Sequence, residues 1–238
     1  MDVNFITLKW GTKYGPEYVN RLYANLKNAY NGEFEFYCFT DDAKSLHPAI
    51  HIRNIEDLRP YQSNCFTVEK IYLFDPSISK LRGPCVLLDL DILIINDLNI
   101  YLSNYNFTEG RFIKNYWNGV DYGNLLGKFG RNWINSSFVT WKEEQLLFIK
   151  QYYELNKKAI EFKYGDLDLF LFQSMRDNLK YHPEKIIYSY EDGADIDDIE
   201  AHKFRKDYSI VLFNTSHGRG TELHNADGWV KDLWARYV

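Results

Sequence analysis

Strand-like and helix-like patterns alternate along the first hundred residues of the chain. The segment "VNFITLKW" has the composition of a strand, and the segment opened by Gly15-Pro16 carries apolar residues at helical spacing, namely Tyr18, Leu22, Leu26 and Tyr30. "EFEFYCFTDD" and "IHIRNI" predict two further strands, and "NCFTVEKIYLFDP" predicts a helix that Pro76 stops. "CVLLDLDILII" then has the unbroken apolar character of one fully buried strand. This order predicts an α/β fold with a mainly parallel central sheet.

The second half has a less regular pattern. "RFIKNYW", "WINSSFVTW" and "SIVLFNTS" predict strands, "KEEQLLFIKQYYELNKKAI" and "GDLDLFLFQSMRDNL" predict helices, and "GWVKDLW" predicts a short helix or a docked loop. With 238 residues, 45% of them hydrophobic, and no linker-like stretch, we expect a single domain over residues 1–238.

Charge and cysteine content narrow the class of function. The formal charge of -5, without a basic stripe, argues against nucleic acid as a partner. Cys38, Cys65 and Cys85 are irregularly spaced among apolar neighbours, which indicates small buried side chains in a reducing compartment. Because the chain shows neither a signal-peptide pattern nor a long apolar run, we expect a cytoplasmic protein without a transmembrane segment, with peripheral membrane association left open.

Asp89 and Asp91 stand inside the apolar run "CVLLDLDILII". On one strand they would point to the same side, and two like charges in a dry interior require a proton, a basic partner or a metal. Oxygen ligands of this kind suit Mg²⁺ or Mn²⁺. The alternative is an early strand end, with one aspartate capping a turn and the other paired with a Lys or Arg. Ligands of open α/β sheets bind at the carboxyl edge of the strands, however, which favours a functional site.

The block "KIYLFDPSISKLRGPCVLLDLDILIINDLNIYL" resembles nucleotide-sugar glycosyltransferases with the GT-A fold, of the glycogenin and lipopolysaccharide galactosyltransferase kind and their bacterial and viral relatives. In that group the acidic pair is the DxD motif. The segments "LKWGTKYGPEYVNRLYANLK", "FYCFTDD" and "NSSFVTW" extend the resemblance. It implies a Rossmann-like domain with a nucleotide-binding half, 1–100, and a half for the donor sugar and the acceptor, 101–238.

The resemblance also implies a metal centre. Mn²⁺ or Mg²⁺ would be held by Asp89 and Asp91, with His217 of "FNTSHGRGTELH" as the third ligand and Arg219 as the clamp on the diphosphate. This segment departs from the usual family pattern, so Asn214 and His224 remain alternatives for the third ligand.

Further residues are expected at the donor. Thr7, Lys9 and Tyr14 are assigned to the loop after the first strand and Asp42 to the end of the second; Lys70, Leu90, Asn135 and Ser136 complete the set. Ordinary alternatives are an Asx-turn or helix cap for Asp42, a surface aromatic for Tyr14, a solvated helix cation for Lys70 and a plain strand for "WINSSFVTW".

Asp166 and Asp168 are the candidate catalytic residues. "YGDLDLFLFQ" resembles the Gly-Asp-Gln segment of the family, with Leu167 where glutamine is usual. Either aspartate could hold a hydroxyl or act as a base, and a helix N-cap is the structural alternative for Asp166.

The acidic pair and the resemblance together predict a metal-dependent glycosyltransferase that moves a sugar from a nucleotide-diphosphate sugar to a glycan or another hydroxyl acceptor. Uridine as the nucleoside is implied by the resemblance alone. The alternatives are a haloacid-dehalogenase-like Mg²⁺ phosphatase, which also carries a hydrophobic-DxD strand, and a non-catalytic nucleotide-sugar binder.

Overall fold

A computed structural model of the chain describes residues 2–59, 68–114, 134–183, 186–190, 208–213, 222–226 and 228–236. The amino-terminal elements are β1 (Val3–Lys9), α1 (Pro16–Ala29), β2 (Phe34–Thr40), β3 (His51–Asn54), α2 (Val68–Leu73), α3 (Pro76–Ser79), β4 (Pro84–Leu88) and β5 (Ile92–Ile94). They follow the alternation that the sequence predicts.

The remaining elements are α4 (Asn99–Leu102), β6 (Arg111–Lys114), β7 (Ile134–Lys142), α5 (Leu147–Lys163), α6 (Leu167–Met175), β8 (Lys180–Tyr181), β9 (Ile187–Ser189), β10 (Ile210–Leu212) and α7 (Gly228–Ala235). Short 3₁₀ turns cover Ile55–Leu58, Arg176–Asn178 and Leu223–Asn225. The predicted short helix at "GWVKDLW" is α7.

The main sheet has seven strands in the order β3-β2-β1-β4-β7-β6-β8. β1 is parallel to β2 and β4, β2 is parallel to β3, and β6 is parallel to β8, whereas β7 runs antiparallel to β4 and β6. The predicted mainly parallel α/β sheet is confirmed. Its topology brings the carboxyl ends of β1 and β4 to one edge.

The run "CVLLDLDILII" forms two strands, and the prediction of one continuous strand is wrong. β4 pairs within the main sheet, whereas β5 joins a second sheet of three strands in the order β5-β10-β9. The chain changes sheet at Asp89–Asp91: the Asp89 amide donates to the carbonyl oxygen of Ser137 at 2.9 Å, and the Phe213 amide donates to that of Asp91 at 2.9 Å. Both strands are buried, so their apolar residues read as one uninterrupted run.

Both faces of the main sheet are covered. Alternate residues of β1 enter two different clusters of buried side chains: Val3 and Phe5 pack in one, and Ile6 and Leu8 in the other. The first cluster takes in α1 and the second sheet, and the second takes in α2, α5 and α6. A strand with both faces covered tolerates a polar side chain only where that side chain finds a partner.

The helix predicted before the acidic strand is present but ends before Pro76. α2 stops at Leu73, and Pro76 begins α3, whose N-cap Asp75 accepts a hydrogen bond from the Ser77 amide at 2.8 Å. In the part of the chain that the structure describes, Cys38 and Cys85 are buried free thiols, and burial raises the pKa of each to about 12. Cys65 lies outside the described residues. Among the described helices, none is long and apolar enough to cross a membrane.

Candidate active site

The acidic pair lies at the carboxyl end of β4, as predicted. Asp89 and Asp91 line a pocket of about 200 Å³ together with Leu90, Lys70 and the segment after β1, represented by Leu8, Trp10, Lys13 and Tyr14. Leu90 is buried, and its side chain belongs to the hydrophobic cluster that contains α1. The pair therefore stands where β4 leaves the main sheet, beside the loop between β1 and α1.

Lys70 of α2 is a buried cation next to Asp89. Its Nζ lies 2.8 Å from an Asp89 carboxylate oxygen, and only 6% of the Lys70 side chain is exposed. The ammonium also donates to Oγ of Ser136 at 3.2 Å and to the Ser136 carbonyl oxygen at 3.3 Å. Burial opposes the charged form, but Asp89 and Asp168 outweigh it and keep the pKa of Lys70 above its usual value. Lys70 is thus an internal counter-ion, not a solvated helix cation.

Asp91, like Asp89, is half-buried. Burial raises the pKa of Asp91 to about 6, and the charge of Asp89 adds to the increase. Lys70, Lys13 and the hydroxyl of Tyr14 oppose it, and that hydroxyl donates to Oδ2 of Asp91 at 3.1 Å. The two carboxylates repel each other, and a bound cation would relieve this repulsion.

Asp166 and Asp168 have different environments. Asp166 is exposed and caps α6, because its Oδ1 accepts a hydrogen bond from the Leu169 amide at 2.7 Å. In Asp168, Oδ1 is buried without a hydrogen-bond partner among the described residues. Burial raises the pKa of Asp168 to about 6, against the opposing effects of Lys70 and Ser136. Of the two candidates, Asp168 is therefore the one that joins the Lys70 cluster.

Leu167 is buried in the core next to the second of these aspartates. Its side chain packs in the hydrophobic cluster of α2, α5 and α6. The position where glutamine is usual in the resembling family is thus an apolar core position in this chain.

The placement of Thr7 and Lys9 differs from the prediction, since both lie on β1 and not in the loop after it. Thr7 is fully buried, and its hydroxyl donates to the Leu88 carbonyl oxygen at 2.8 Å, so it joins β1 to β4 and offers no surface to a ligand. Lys9 is also buried, with its Nζ 3.5 Å from the Asp42 carbonyl oxygen. The alternation of β1 places these polar side chains inward, where they have local partners.

Asp42 forms an Asx-turn, the local alternative to a ligand contact. Its Oδ1 accepts a hydrogen bond from the Lys44 amide at 2.9 Å. Its neighbour Asp41 accepts one from the Gly11 amide at 2.9 Å. The ends of β1 and β2 are therefore tied together beside the pocket.

Asn135 and Ser136 begin β7 next to β4. Ser136 is buried and bonds to Lys70, while Asn135 accepts a hydrogen bond from the Ser137 amide at 2.8 Å. Ser136 is thus part of the cluster, and Asn135 shapes the start of the strand.

The third metal ligand stays a prediction. His217, Asn214 and Arg219 lie outside the described residues. His224 is described, and both of its ring nitrogens have partners: Nδ1 bonds to the Tyr18 hydroxyl, and Nε2 lies 3.2 Å from Oε2 of Glu222. Within the described ranges, no group of three or more His, Cys, Asp or Glu side chains is arranged to hold a metal ion.

Three pocket residues escaped the sequence prediction: Leu8 near the end of β1, and Trp10 and Lys13 in the loop after it. Trp10 and Lys13 line the pocket, and Lys13 carries a positive charge close enough to lower the pKa of Asp91. The sequence signal that could have identified Trp10 and Lys13 is their position in "KWGTKYGP", directly after β1. Ligands of open α/β sheets bind at the carboxyl ends of the strands, where this loop lies. The site therefore combines three carboxylates, Asp89, Asp91 and Asp168, with two ammonium groups.

Comparison with known proteins supports the fold. No family model and no curated protein matches the chain. The galactosyltransferase LgtC, solved with donor and acceptor sugar analogues, superposes with a TM-score of 0.60 at 13% identity over 99% of this chain and 96% of that one. The bifunctional glycosyltransferase WbbM gives a TM-score of 0.65 at 12% identity over 99% of this chain and 49% of that one.

The glycosyltransferase GlyE of Streptococcus pneumoniae gives a TM-score of 0.58 at 14% identity, over 98% of this chain and 59% of that one. These similarities confirm the predicted GT-A fold. At such identities they establish the fold and not the reaction.

Proposed function

We propose that the protein is a metal-dependent glycosyltransferase that uses a nucleotide-diphosphate sugar. The observation that carries the proposal is the placement of Asp89 and Asp91 at the carboxyl end of β4, lining one pocket with Lys70 and Lys13. Ligands of open α/β sheets bind at this edge. The shared fold with LgtC, WbbM and GlyE favours this function over the phosphatase alternative.

The chemistry of the carboxylates fits Mn²⁺ or Mg²⁺. Three carboxylates face two ammonium groups here, and the pKa of Asp91 is raised partly by Asp89, so a further cation would offset the remaining negative charge. Asp89 and Asp91 would hold the ion, which would supply Lewis-acid stabilisation of a departing diphosphate. Uridine diphosphate as the carrier rests on the family resemblance.

The protein's own groups would bind and orient the donor. The exposed Lys13 offers charge to the phosphates, whereas Lys70 stays buried and holds Asp89 and Ser136 in place. Oδ1 of Asp168, which has no hydrogen-bond partner among the described residues, is suited to accept a hydrogen bond from a sugar hydroxyl. The pocket volume, about 200 Å³, fits a diphosphate better than a whole sugar nucleotide, because sites for drug-sized ligands occupy about 300–1,000 Å³.

The test has two parts. A thermal-shift panel of nucleoside diphosphates with and without Mn²⁺ should show stabilisation by one nucleotide, and only when the metal is present. Sugar-nucleotide turnover should then be lost in Asp91→Asn and kept in the control Asp57→Asn, which neutralises an exposed carboxylate in a 3₁₀ turn.

Three outcomes distinguish the candidate functions. Turnover that survives in folded Asp91→Asn would refute the metal site. Nucleotide binding without turnover would favour a non-catalytic binder. Phosphate release from simple monoesters would favour the phosphatase.

A further inference from the structure

Two adjoining cavities lie away from the acidic pocket and share no lining residue with it. Their volumes are about 480 and 340 Å³, and both are lined by Asn96 and Asp97 in the segment after β5. One extends toward α1 and the other toward α4 and β6. We name this surface the amide groove after the asparagines that line it: Asn25, Asn28, Asn31, Asn96, Asn99, Asn104 and Asn106.

Local hydrogen bonds orient several of these amides. The side-chain amides of Asn28 and Asn104 donate to backbone carbonyl oxygens one turn earlier in the chain, at 2.8 and 2.7 Å. Oδ1 of Asn99 accepts from the Asn31 amide at 2.9 Å. Side chains fixed in this way bind a ligand with a smaller loss of conformational entropy. For Asn106 and Thr108, no polar side-chain contact exists within the described part of the chain.

The groove also has an apolar wall. Ile100 is 71% exposed, and it lines the larger cavity next to the half-buried rings of Tyr101 and Tyr208. Large apolar side chains that remain exposed inside a cavity mark an interaction site more often than isolated ones on a convex surface. A ligand for this groove therefore needs both hydrogen-bonding groups and an apolar face.

Charge points to a neutral ligand. Among the described residues that line the groove, Asp97 and Arg111 are the charged ones. Arg111 is held by Oε1 of Glu109 at 2.8 and 3.0 Å and lies over the Tyr105 ring. Oδ1 of Asp97 accepts two hydrogen bonds from Asn99. Among the described lining residues an anion would meet only a cation that already has a carboxylate partner, which argues against a second nucleotide site.

We propose that the amide groove binds an uncharged glycan chain at a site separate from the acidic pocket. Sugar hydroxyls pair with amide groups, and the C–H face of a sugar ring can pack on Ile100. Asn96 lies five residues after Asp91, so the backbones of these two residues are at most about 18 Å apart. The choice of a glycan rests on the proposed function, in which an acceptor chain must be held near the donor.

Native electrophoresis through gels containing glycogen, dextran or galactomannan tests the proposal. We expect at least one polysaccharide to retard the protein. Asn106→Ala/Thr108→Ala and Ile100→Asp should each weaken the apparent binding at least fivefold. Asn156→Ala and Leu155→Asp are the controls, because they remove an exposed amide and replace an exposed apolar side chain by the same charged one on α5. Unchanged urea unfolding midpoints would show that the variants fold.

Asp91→Asn separates this proposal from the proposed function. If it loses turnover but is still retarded, binding is independent of the acidic pocket, as proposed. If its retardation is also lost, the polysaccharide occupies the acidic pocket and the groove proposal fails. Absence of retardation in all three gels, or equal retardation of the groove variants and the controls, would also overturn it. Retardation without any transferase activity would leave the groove standing and refute only the proposed function.

Discussion

Replacing Lys70 with methionine removes the buried cation from the acidic cluster while keeping most of its volume. In the wild type, the Lys70 ammonium lies 2.8 Å from Asp89 and donates to Ser136. It also opposes the rise in the pKa of Asp91 and of Asp168. Lys70→Met would therefore leave three carboxylates close together without their internal counter-ion.

The expected loss of stability follows from burial. Breaking a buried ion pair by removing one partner costs about 3–5 kcal/mol, since the other charge stays behind uncompensated. We expect the lower end of this range, because 26% of the Asp89 side chain is exposed to solvent. Proton uptake by Asp168, whose pKa is already raised to about 6, would reduce the loss further below neutral pH.

Urea unfolding in the presence of EDTA measures this loss, and a second series with Mn²⁺ asks whether a divalent ion compensates for it. We expect Mn²⁺ to stabilise Lys70→Met more than the wild type, because the variant holds more uncompensated negative charge. Lys150→Met is the control: Lys150 pairs with Asp75 and Glu154 at 3.1 and 3.2 Å, away from the acidic pair. Because the Lys150 and Asp75 side chains are only 15% and 11% exposed, the loss of stability should be of similar size, but it should not respond to Mn²⁺.

Two results would refute the reasoning. A Lys70→Met protein as stable in EDTA as the wild type would show that the ammonium does not compensate the cluster. Equal stabilisation of both proteins by Mn²⁺ would show that the ion binds elsewhere.

Three further predictions concern single side chains. Asp168→Asn should abolish turnover. Because the raised pKa of Asp168 makes the folded state bind the proton more tightly, the unfolding free energy of the wild type should fall by about 2–3 kcal/mol relative to this variant as the pH rises from about 4 to about 7. Parallel pH profiles of unfolding would contradict this. Asp166→Ala should cost about 1 kcal/mol of unfolding free energy through the lost cap and keep turnover; lost turnover would give Asp166 a catalytic role. Burial lowers the pKa of His182 to about 3, so the folded state resists its protonation. As the pH falls below about 6.5, the unfolding free energy of the wild type should decrease by about 1.4 kcal/mol per pH unit, and that of His182→Gln should decrease less. Equal slopes would contradict this.

The alternation of strands and helices was predictable from local patterns, but the change of sheet after Leu88 was not. Strand composition reports burial on both faces, and β4 and β5 are both buried. Which neighbour each strand pairs with depends on residues far along the chain, since Ile92 pairs opposite Leu212. Apolar periodicity contains no information about such long-range pairing.

The candidate site was only partly predictable, again because local sequence patterns do not show which residues meet in the folded chain. Asp89 and Asp91 stand out because charge is rare in an apolar run, whereas Lys70 looks like an ordinary helix cation. The signal for its burial was present in the short helix itself: apart from Glu69 and Lys70 its residues are apolar, which is typical of a helix that packs inside the protein. For Thr7 the error was the reverse. It was predicted to contact a ligand, but its hydroxyl instead donates to the carbonyl oxygen of Leu88 inside the sheet.

The hydrogen bonds that fix Asp89 and Asp91 belong to different sheets. The backbone of Asp89 is attached to β7, and that of Asp91 to the residue that follows β10. A ligand that binds both carboxylates would therefore connect the two sheets and restrict their movement relative to each other. Amide hydrogen exchange should report this: the amide protons of β10 should exchange more slowly once a ligand is bound, although β10 supplies no side chain to the acidic pocket.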